Sequence, residues 1–212
     1  MQNTSHAVMS QRAEPRHSLD DFPTPPWATR AFVESVLLDD GTDSLGRVLE
    51  PACGRGHMAA ALSEYSQEVI SIDIHPYGYG SICDYLKKPI EIGEFDWVIT
   101  NPPFRLAEEF ILKSIPVARQ GVAMLVRTVF IESIGRFERL FSQHPPSVVA
   151  QYVERVPMVK GRLDRKASTA TGYCWCVWQK SHQDMPTKLR WIPPSRKRLE
   201  RNSDYVGTFD SA

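Results

Sequence analysis

Residues 98–104, VITNPPF, place an amide side chain directly after an apolar run and follow it with two prolines and an aromatic ring. The carboxamide oxygen of Asn101 can accept a hydrogen bond from an NH2 group, and so can the backbone carbonyl of Pro102. Proline fixes φ and carries no N–H, so the turn is rigid and presents acceptors. Phe104 offers a flat face for stacking a base. The pattern predicts a site in which two acceptors hold a planar amine and direct its lone pair outward.

A glycine turn, EPACGRG, follows another apolar run at residues 47–52. Gly54 and Gly56 permit a tight turn and close approach of the backbone to a ligand, and the helix that follows supplies free N–H groups. Asp73 ends the next apolar run, 19 residues after Gly54, where a carboxylate can accept hydrogen bonds from both hydroxyls of a ribose. The spacing predicts a cofactor that contains adenosine. The turn also satisfies the dinucleotide fingerprint, and a structural connection without a ligand is the plainer alternative.

The elements that must position these residues follow from the periodicity of the apolar side chains. Prolines enforce an extended segment before a helix at about 26–38, and from residue 47 onward short buried strands alternate with helices. This alternation predicts an α/β fold: a doubly wound, mostly parallel, Rossmann-like sheet covered on both faces. The runs SVVAQYVERV and GYCWCVWQK predict an antiparallel hairpin at one edge. Ligands of open α/β sheets bind beyond the carboxyl ends of the strands, where both motifs lie.

The bulk composition indicates one globular domain, at residues 21–180, between a disordered N-terminus at 1–20 and a basic, flexible tail at 181–212. Lys plus Arg and Asp plus Glu both number 25, so the formal net charge is zero and a polyanion must be held by a local patch. No apolar run approaches the roughly 20 residues that a bilayer requires, and the polar start lacks a signal-peptide core, so we expect a cytoplasmic protein without a membrane partner. The four cysteines show no second ligand pair at zinc spacing, so we expect free thiols and no metal.

Three motifs in this order, EPACGRG, SIDIHP and NPPF, resemble those of the class I S-adenosylmethionine-dependent methyltransferases, and specifically of the N6-adenine DNA methyltransferase group. The upstream DFPTPPW resembles the motif with which that group holds the methionine end of S-adenosyl-L-methionine, and its position before the glycine turn matches the γ-type motif order. The resemblance covers roughly residues 20–178. It implies cofactor contacts from Asp21, Phe22, Thr24, Pro25, Glu50, Gly54, Gly56, Asp73 and Asp84. It implies a catalytic motif made of Asn101, Pro102, Pro103 and Phe104.

Within this set, Glu50 is expected near the methionine amine and Asp84 near the exocyclic amine of adenine. A loop acid that faces water is an equal alternative for Asp84. Two departures bear on the substrate. The group's catalytic motif more often begins with Asp and ends with Tyr, and the variant with Asn101 and Phe104 is shared with RNA guanine-N2 and protein glutamine methyltransferases. Little sequence separates the catalytic motif from the last strands, so a substantial target-recognition region, and with it strong sequence specificity, is not expected.

A basic loop at residues 155–172, between the last two predicted strands, holds five cations against one acid. Clustered cations beside a base-stacking site suit phosphate contacts. The residues that we predict to bind nucleic acid are Lys160, Arg162, Arg165 and Lys166. A solvated, flexible loop is the alternative. The tail adds further cations around Trp191, a composition that suits single strands or flipped bases and equally a disordered segment.

The sequence therefore predicts an enzyme that methylates an exocyclic nucleobase amine with S-adenosyl-L-methionine, with adenine N6 in DNA as the first expectation. A duplex substrate would need its target base flipped out. RNA or a protein glutamine as substrate of the same chemistry is the first alternative. A dinucleotide-binding oxidoreductase is another, although it leaves Asn101 and Phe104 unexplained, and a catalytically silent nucleic-acid-binding relative is the last.

Overall fold

The computed structural model describes residues 20–38, 43–182 and 185–205, and the predicted disorder of residues 1–19 lies outside these ranges. In the described residues one sheet is formed by β1 (Arg47–Glu50), β2 (Glu68–Asp73), β3 (Ser81–Ile82), β4 (Phe95–Thr100), β5 (Ala118–Arg127), β6 (Val148–Tyr152), β7 (Tyr173–Gln179) and β8 (Lys188–Ile192). The helices are α1 (Pro26–Phe32), α2 (His57–Leu62), α3 (Ala107–Val117), α4 (Ile134–Arg136) and α5 (Arg196–Leu199). A π-helical turn, Val33–Leu37, continues α1, and a second, Phe137–Phe141, continues α4.

The sheet has the strand order β3-β2-β1-β4-β5-β7-β6-β8. The first five strands are parallel, and β7 runs antiparallel between β5 and β6. The predicted doubly wound, mostly parallel sheet with an antiparallel pair is therefore confirmed, but the pair does not form the edge, because β8 pairs with the outer side of β6. Because β1, β2 and β4 are parallel neighbours, their carboxyl ends meet at one edge of the sheet, and this topology brings the glycine turn, Asp73 and Asn101 together.

Side chains along β5 alternate between two hydrophobic clusters, one on each face of the sheet. Ala123 and Leu125 belong to the first cluster, with α1 and α2 packed over it, whereas Val122 and Met124 belong to the second, with α3 packed over it. This alternation is the period of two that a strand buried on both faces requires. The sheet is therefore covered by helices on both faces, as the continuous apolar runs predicted.

The predicted flexible tail is wrong for residues 185–205. The strand β8 pairs in parallel with β6, and the side chains of Ile192 and Leu199 are buried in the first cluster. The guanidinium of Arg30, in α1, donates to the carbonyl of Leu199 and pairs with Asp204. Backbone pairing and this buried ion pair order a segment whose composition is that of a solvated tail. The folded unit of the described chain thus extends from residue 20 to 205.

None of the helices in the described ranges is long and apolar enough to span a membrane.

Candidate active site

An open cleft lies beyond the carboxyl ends of β1, β2 and β4, with the segment before α1 as another wall. It encloses about 650 Å³ of space, part of which is open solvent at its mouth. Of the predicted site residues, the cleft is lined by Asp21, Phe22, Thr24, Glu50, Gly54, Asp73, Asn101 and Pro103. The structure therefore brings most of the predicted cofactor residues together with Asn101, the predicted catalytic asparagine.

The two glycines of the turn are needed for different reasons. Both have positive φ, +51° at Gly54 and +82° at Gly56, a conformation that L side chains rarely adopt. A Cβ at Gly54 would enter open space, and this residue lines the cleft. A Cβ at Gly56 would lie 2.5 Å from ring atoms of Tyr79, so the close approach there is made by Tyr79 within the protein. Gly56 therefore allows the turn to pack against Tyr79, and Gly54 leaves open space on the side of the turn that faces the cleft.

Asp73, at the end of β2, holds the turn in place. Its Oδ2 accepts a hydrogen bond from the backbone N–H of Gly54 at 2.8 Å, and its Oδ1 accepts one from His75 at 2.9 Å. Each carboxylate oxygen can accept about two hydrogen bonds, so each keeps one acceptor position. The side chain is buried to 8% exposure but lines the cleft. Asp73 can therefore hold the turn and still accept hydrogen bonds from two ligand hydroxyls.

Replacing Asp73 with alanine is expected to weaken binding of S-adenosylmethionine by roughly 10- to 100-fold, because hydrogen bonds to a charged acceptor contribute about 1.5–3 kcal/mol. Isothermal titration calorimetry measures this. Asp96→Asn is a matched control, since Asp96 also accepts a backbone N–H, that of Arg47 at 2.8 Å, but lies outside the cleft lining. Equal cofactor affinity in Asp73→Ala and wild type would contradict the ribose assignment.

Glu50, the last residue of β1, is a buried carboxyl group at the base of the cleft. It is 2% exposed, and its Oε2 has no hydrogen-bond partner among the described residues. Burial raises the pKa of Glu50 well above its usual range, repulsion from Asp73 raises it further, and a hydrogen bond from the backbone of Ala59 acts in the opposite direction. A buried acidic oxygen without a partner is costly unless a ligand supplies a donor or a positive charge.

Replacing Glu50 with glutamine is expected to stabilise the ligand-free protein at pH 8. A carboxyl whose folded pKa is raised costs stability once the pH exceeds its unfolded pKa of about 4.5, because the unfolded chain then releases the proton more readily. The advantage should vanish below pH 4.5, where both forms are protonated. Urea unfolding at pH 4 and pH 8 measures the difference, and the same variant should bind S-adenosylmethionine more weakly. A variant no more stable than wild type at pH 8 would contradict the assignment.

Asn101 directly follows β4, and its carboxamide is held by the segment before α1. The amide nitrogen donates to the backbone carbonyl of Phe22 at 3.0 Å and to the hydroxyl oxygen of Thr24 at 3.1 Å. Since a backbone carbonyl can only accept, this contact fixes which end of the carboxamide is the nitrogen. The other end, Oδ1, is buried and has no hydrogen-bond partner among the described residues. The site therefore presents one unsatisfied acceptor at the residue predicted to bind the amine.

The segment before α1, which is predicted to bind the cofactor, also supports the predicted catalytic turn. Besides the contacts of Phe22 and Thr24 with Asn101, the carboxylate of Asp20 accepts the backbone N–H of Phe104 at 2.8 Å. The basic loop adds Met158, whose sulfur lies 3.7 Å from the amide nitrogen of Asn101. The sequence did not indicate Asp20 or Met158, because neither belongs to a motif and both reach the turn through long-range contacts.

The remaining residues of the catalytic motif lie around this asparagine. Pro102 is buried, and Pro103 is half-buried and lines the cleft. Phe104 is half-buried, with its ring centroid 5.6 Å from that of Phe22 and 6.4 Å from that of Tyr173. The guanidinium carbon of Arg127 lies 4.0 Å from the Phe104 centroid. The predicted stacking ring is therefore part of an aromatic group that already carries a cation.

Three predicted cofactor residues are not among those that line the cleft. Pro25 is buried and accepts the N–H of Ala28 at the start of α1, and Gly56 contacts Tyr79 as described. Asp84 pairs with Lys87 at 3.0 Å and accepts the N–H of Leu86. The contact of Asp84 with an adenine amine stays a prediction.

Several lining residues were not predicted as ligand contacts. Arg55, within the glycine turn, lies 3.8 Å from the carboxylate of Asp21 and 5.6 Å from the ring centroid of Tyr77. Burial raises the pKa of Asp21, and the charge of Arg55 lowers it in part. The sequence could have indicated both side chains, because Arg55 lies within the glycine turn and Tyr77 follows shortly after Asp73. Tyr77 adds an aromatic wall to the side of the cleft on which Asp73 lies.

The basic loop begins beside the site, since the N–H of Gly161 donates to the carbonyl of Asp21 at 2.8 Å. Two of its predicted cations are paired: Arg162 with Asp164 at 3.3 Å, and Arg165 with Glu200 at 3.2 Å. Both arginines are more than half exposed, and such surface pairs contribute little stability. These pairs could therefore be exchanged for phosphate contacts at small cost. The role of Lys160, Arg162, Arg165 and Lys166 in binding nucleic acid stays a prediction.

All four cysteines are free thiols. Cys53 lines the cleft, and burial, together with the charges of Glu50 and Asp73, raises the pKa of its thiol well above the ordinary value. A protonated thiol is a poor nucleophile. Within the described ranges, no group of three or more His, Cys, Asp or Glu side chains is arranged to hold a metal ion.

The contents of the cleft fit S-adenosylmethionine. The unpartnered oxygen of Glu50 complements an ammonium group, the spare acceptor positions of Asp73 complement the two hydroxyls of a ribose, and Gly54 leaves open space beside the turn. The sheet and the cleft at its carboxyl edge together agree with the predicted Rossmann-like arrangement.

Comparisons with known proteins find similarity to methyltransferases. A type II methyltransferase of Thermus thermophilus, M.TthHB8I, is 32% identical over 123 residues, which are 53% of this chain and 27% of that protein. This chain therefore corresponds to about a quarter of the relative's length. No protein-family model matches the chain.

Two solved structures share the fold over most of this chain. The methyltransferase subunit of a type I restriction-modification system from Streptococcus thermophilus gives a TM-score of 0.58 over 83% of this chain and 48% of that one, at 12% identity. A candidate RNA methyltransferase of Pyrococcus horikoshii gives 0.56 over 79% of this chain and 90% of that one, at 18% identity. These comparisons confirm the predicted fold and the predicted resemblance to methyltransferases, whereas the specific resemblance to the N6-adenine group stays a prediction.

Proposed function

We propose that this chain transfers the methyl group of S-adenosylmethionine to an exocyclic amine of a nucleobase, with adenine N6 in DNA as the first candidate. The unpartnered, buried Oδ1 of Asn101 carries the proposal, because two hydrogen bonds of the amide nitrogen hold this acceptor in place at the cleft. An amine on an sp2 carbon is a planar donor of two N–H groups, which suits a fixed acceptor. The alternative substrates, RNA and a protein glutamine, also carry an NH2 group on an sp2 carbon.

The cofactor, when bound, supplies an electrophilic methyl group on its sulfonium. Glu50 would hold the methionine ammonium and Asp73 the ribose hydroxyls. Oδ1 of Asn101 and the carbonyl of Pro102 accept the two N–H groups of the target amine, which turns the nitrogen lone pair toward the methyl carbon. Neither acceptor is a strong base, so the proton that the amine loses on methylation would leave to water.

Two observations support a nucleic acid as the substrate. The relative that is 32% identical is named as a type II methyltransferase, and a basic loop lies next to Asn101 through Met158. The loop provides cations that can exchange weak surface pairs for phosphates. Adenine N6 is the target that the resemblance of the sequence motifs to the N6-adenine DNA methyltransferase group implies.

The test is transfer of isotope-labelled methyl from S-adenosylmethionine into unmethylated DNA, RNA and protein in parallel, followed by mass spectrometry of the digested products. Label in N6-methyladenine from DNA is the expected result. Label in RNA or protein alone would keep the amine chemistry and refute DNA as the substrate. No label in any of the three, from protein that binds the cofactor, would refute the proposed function.

A further inference from the structure

Arg127, the last residue of β5, lies on the aromatic ring of the catalytic motif. Its guanidinium carbon is 4.0 Å from the ring centroid of Phe104 and 5.9 Å from that of Phe22. These distances are those of cation–π contacts. A base cannot stack on the same face of Phe104 while the guanidinium occupies it. The structure thus shows the stacking surface covered by a side chain of the protein itself.

The charge of Arg127 is not neutralised by a neighbouring acid. Among the described residues, no carboxylate lies within ion-pair distance of its guanidinium, and its buried Nε has no hydrogen-bond partner. Other arginines of this chain differ: Arg30, Arg139 and Arg165 each pair with a carboxylate. A guanidinium with unsatisfied donors matches the geometry of a phosphate, which it can bind with two parallel hydrogen bonds.

The acceptor of the site is also covered. Oδ1 of Asn101 has almost no solvent-accessible surface, so a substrate nitrogen reaches it only when a neighbouring group moves. A long side chain at the end of a strand, held by ring contacts and without an ion pair, moves at less cost than the buried prolines of the turn. Arg127 is therefore the group on the ring of Phe104 that a substrate base would displace at small cost.

We propose that Arg127 occupies the position of the target base on Phe104 in the free protein, and that it binds a backbone phosphate of the substrate once the base takes that position. The inference rests on the proposed function and narrows its substrate class. A planar cation and a nucleobase use the same aromatic face, and a phosphate next to the base replaces the lost ring contact. A neutral protein glutamine offers no such anion, so the substrate is a nucleic acid.

The experiment measures binding of a fluorescein-labelled, unmethylated oligodeoxyribonucleotide of mixed sequence by anisotropy over a series of salt concentrations, for wild type, Arg127→Ala and Arg127→Lys. Loss of one phosphate contact should reduce the slope of log affinity against log salt by about 0.7–0.9. Arg127→Ala is expected to show this reduction and about tenfold weaker binding, whereas Arg127→Lys keeps the slope. Affinity of Arg127→Ala for free deoxyadenosine, which lacks phosphate, should not fall, because Phe104 is uncovered.

Arg119→Ala is the matched control. Arg119 lies on the same strand, near its opposite end, and pairs with Asp96 at 3.0 Å, so its removal should leave the slope unchanged. An unchanged slope in Arg127→Ala, or a parallel loss of affinity for S-adenosylmethionine, would overturn the role of Arg127. The methyl-transfer assay of the wild type separates the two proposals. If wild type methylates DNA or RNA and Arg127→Ala keeps its slope, only the present inference fails; if wild type neither binds nor methylates nucleic acid, both fail.

Discussion

We expect Asn101→Ala to lower the rate of methyl transfer by about 10²–10³-fold and to leave the affinity for S-adenosylmethionine close to that of wild type. The reduction is in the range measured when one preorganised hydrogen-bonding group is removed from an active site. The amide contacts Phe22 and Thr24 through its nitrogen and leaves Oδ1 without a partner, so the substitution removes the acceptor. Single-turnover transfer of labelled methyl and calorimetric titration of the cofactor measure the two quantities.

Asn101→Asp tests whether the orientation of the amide matters. Aspartate keeps an acceptor oxygen, but its second oxygen would face the carbonyl of Phe22, which can only accept. We therefore expect this variant to be impaired too, although aspartate is the usual first residue of the related motif. Full turnover of Asn101→Ala would refute the acceptor role, and full turnover of Asn101→Asp would refute the role of the Phe22 contact.

Replacing Arg30 with alanine should lower the free energy of unfolding by about 3–5 kcal/mol, the cost typical of removing one partner of a buried ion pair. The Arg30 side chain is 4% exposed and pairs with Asp204 at 2.8 Å and with Glu64 at 2.9 Å. It also donates to the carbonyl of Leu199 at 2.9 Å. The substitution leaves the Asp204 side chain, 3% exposed, without the guanidinium that neutralises it.

Urea unfolding gives the change in free energy, and Arg47→Ala is its control. Arg47 pairs with Glu68 at 2.7 Å through side chains that are 41% and 51% exposed, so we expect a loss of at most about 1 kcal/mol. Limited proteolysis of Arg30→Ala should also cut within residues 185–205 sooner than in wild type. A loss no greater than that of Arg47→Ala would show that Arg30 does not anchor the C-terminal segment.

The segment before α1 connects the cofactor side of the cleft to the catalytic turn. Asp21 lines the cleft, Phe22 and Thr24 hold the amide of Asn101, and Asp20 holds the backbone of Phe104. A displacement of this segment would therefore disturb both the cleft and the acceptor. Substitutions at Thr24 are best interpreted with both cofactor affinity and transfer rate measured.

The meeting of Gly54, Asp73 and Asn101 could be predicted because each follows an apolar strand of a parallel sheet. Parallel strands end at the same edge, so the order of motifs along the chain sufficed to place the cleft. The sequence also identified Gly56 as a glycine of the turn. It did not indicate that the ring of Tyr79, which follows β2, would lie where a Cβ of residue 56 would otherwise be. Local sequence patterns predicted where the glycines lie, whereas tertiary packing explains why residue 56 must be glycine.

The sequence by itself thus determined the fold class, the cleft and most of its acids, because apolar periodicity and strand ends are local properties of the chain. Tertiary structure alone decided the rest. The strand β8 forms by pairing with β6, Arg30 holds the segment that follows it through Leu199, and the carbonyl that orients Asn101 belongs to Phe22, 79 residues earlier. The position of Arg127 over Phe104 likewise depends on the neighbouring placement of β4 and β5. Such contacts join residues far apart in the chain, so no local pattern contains them.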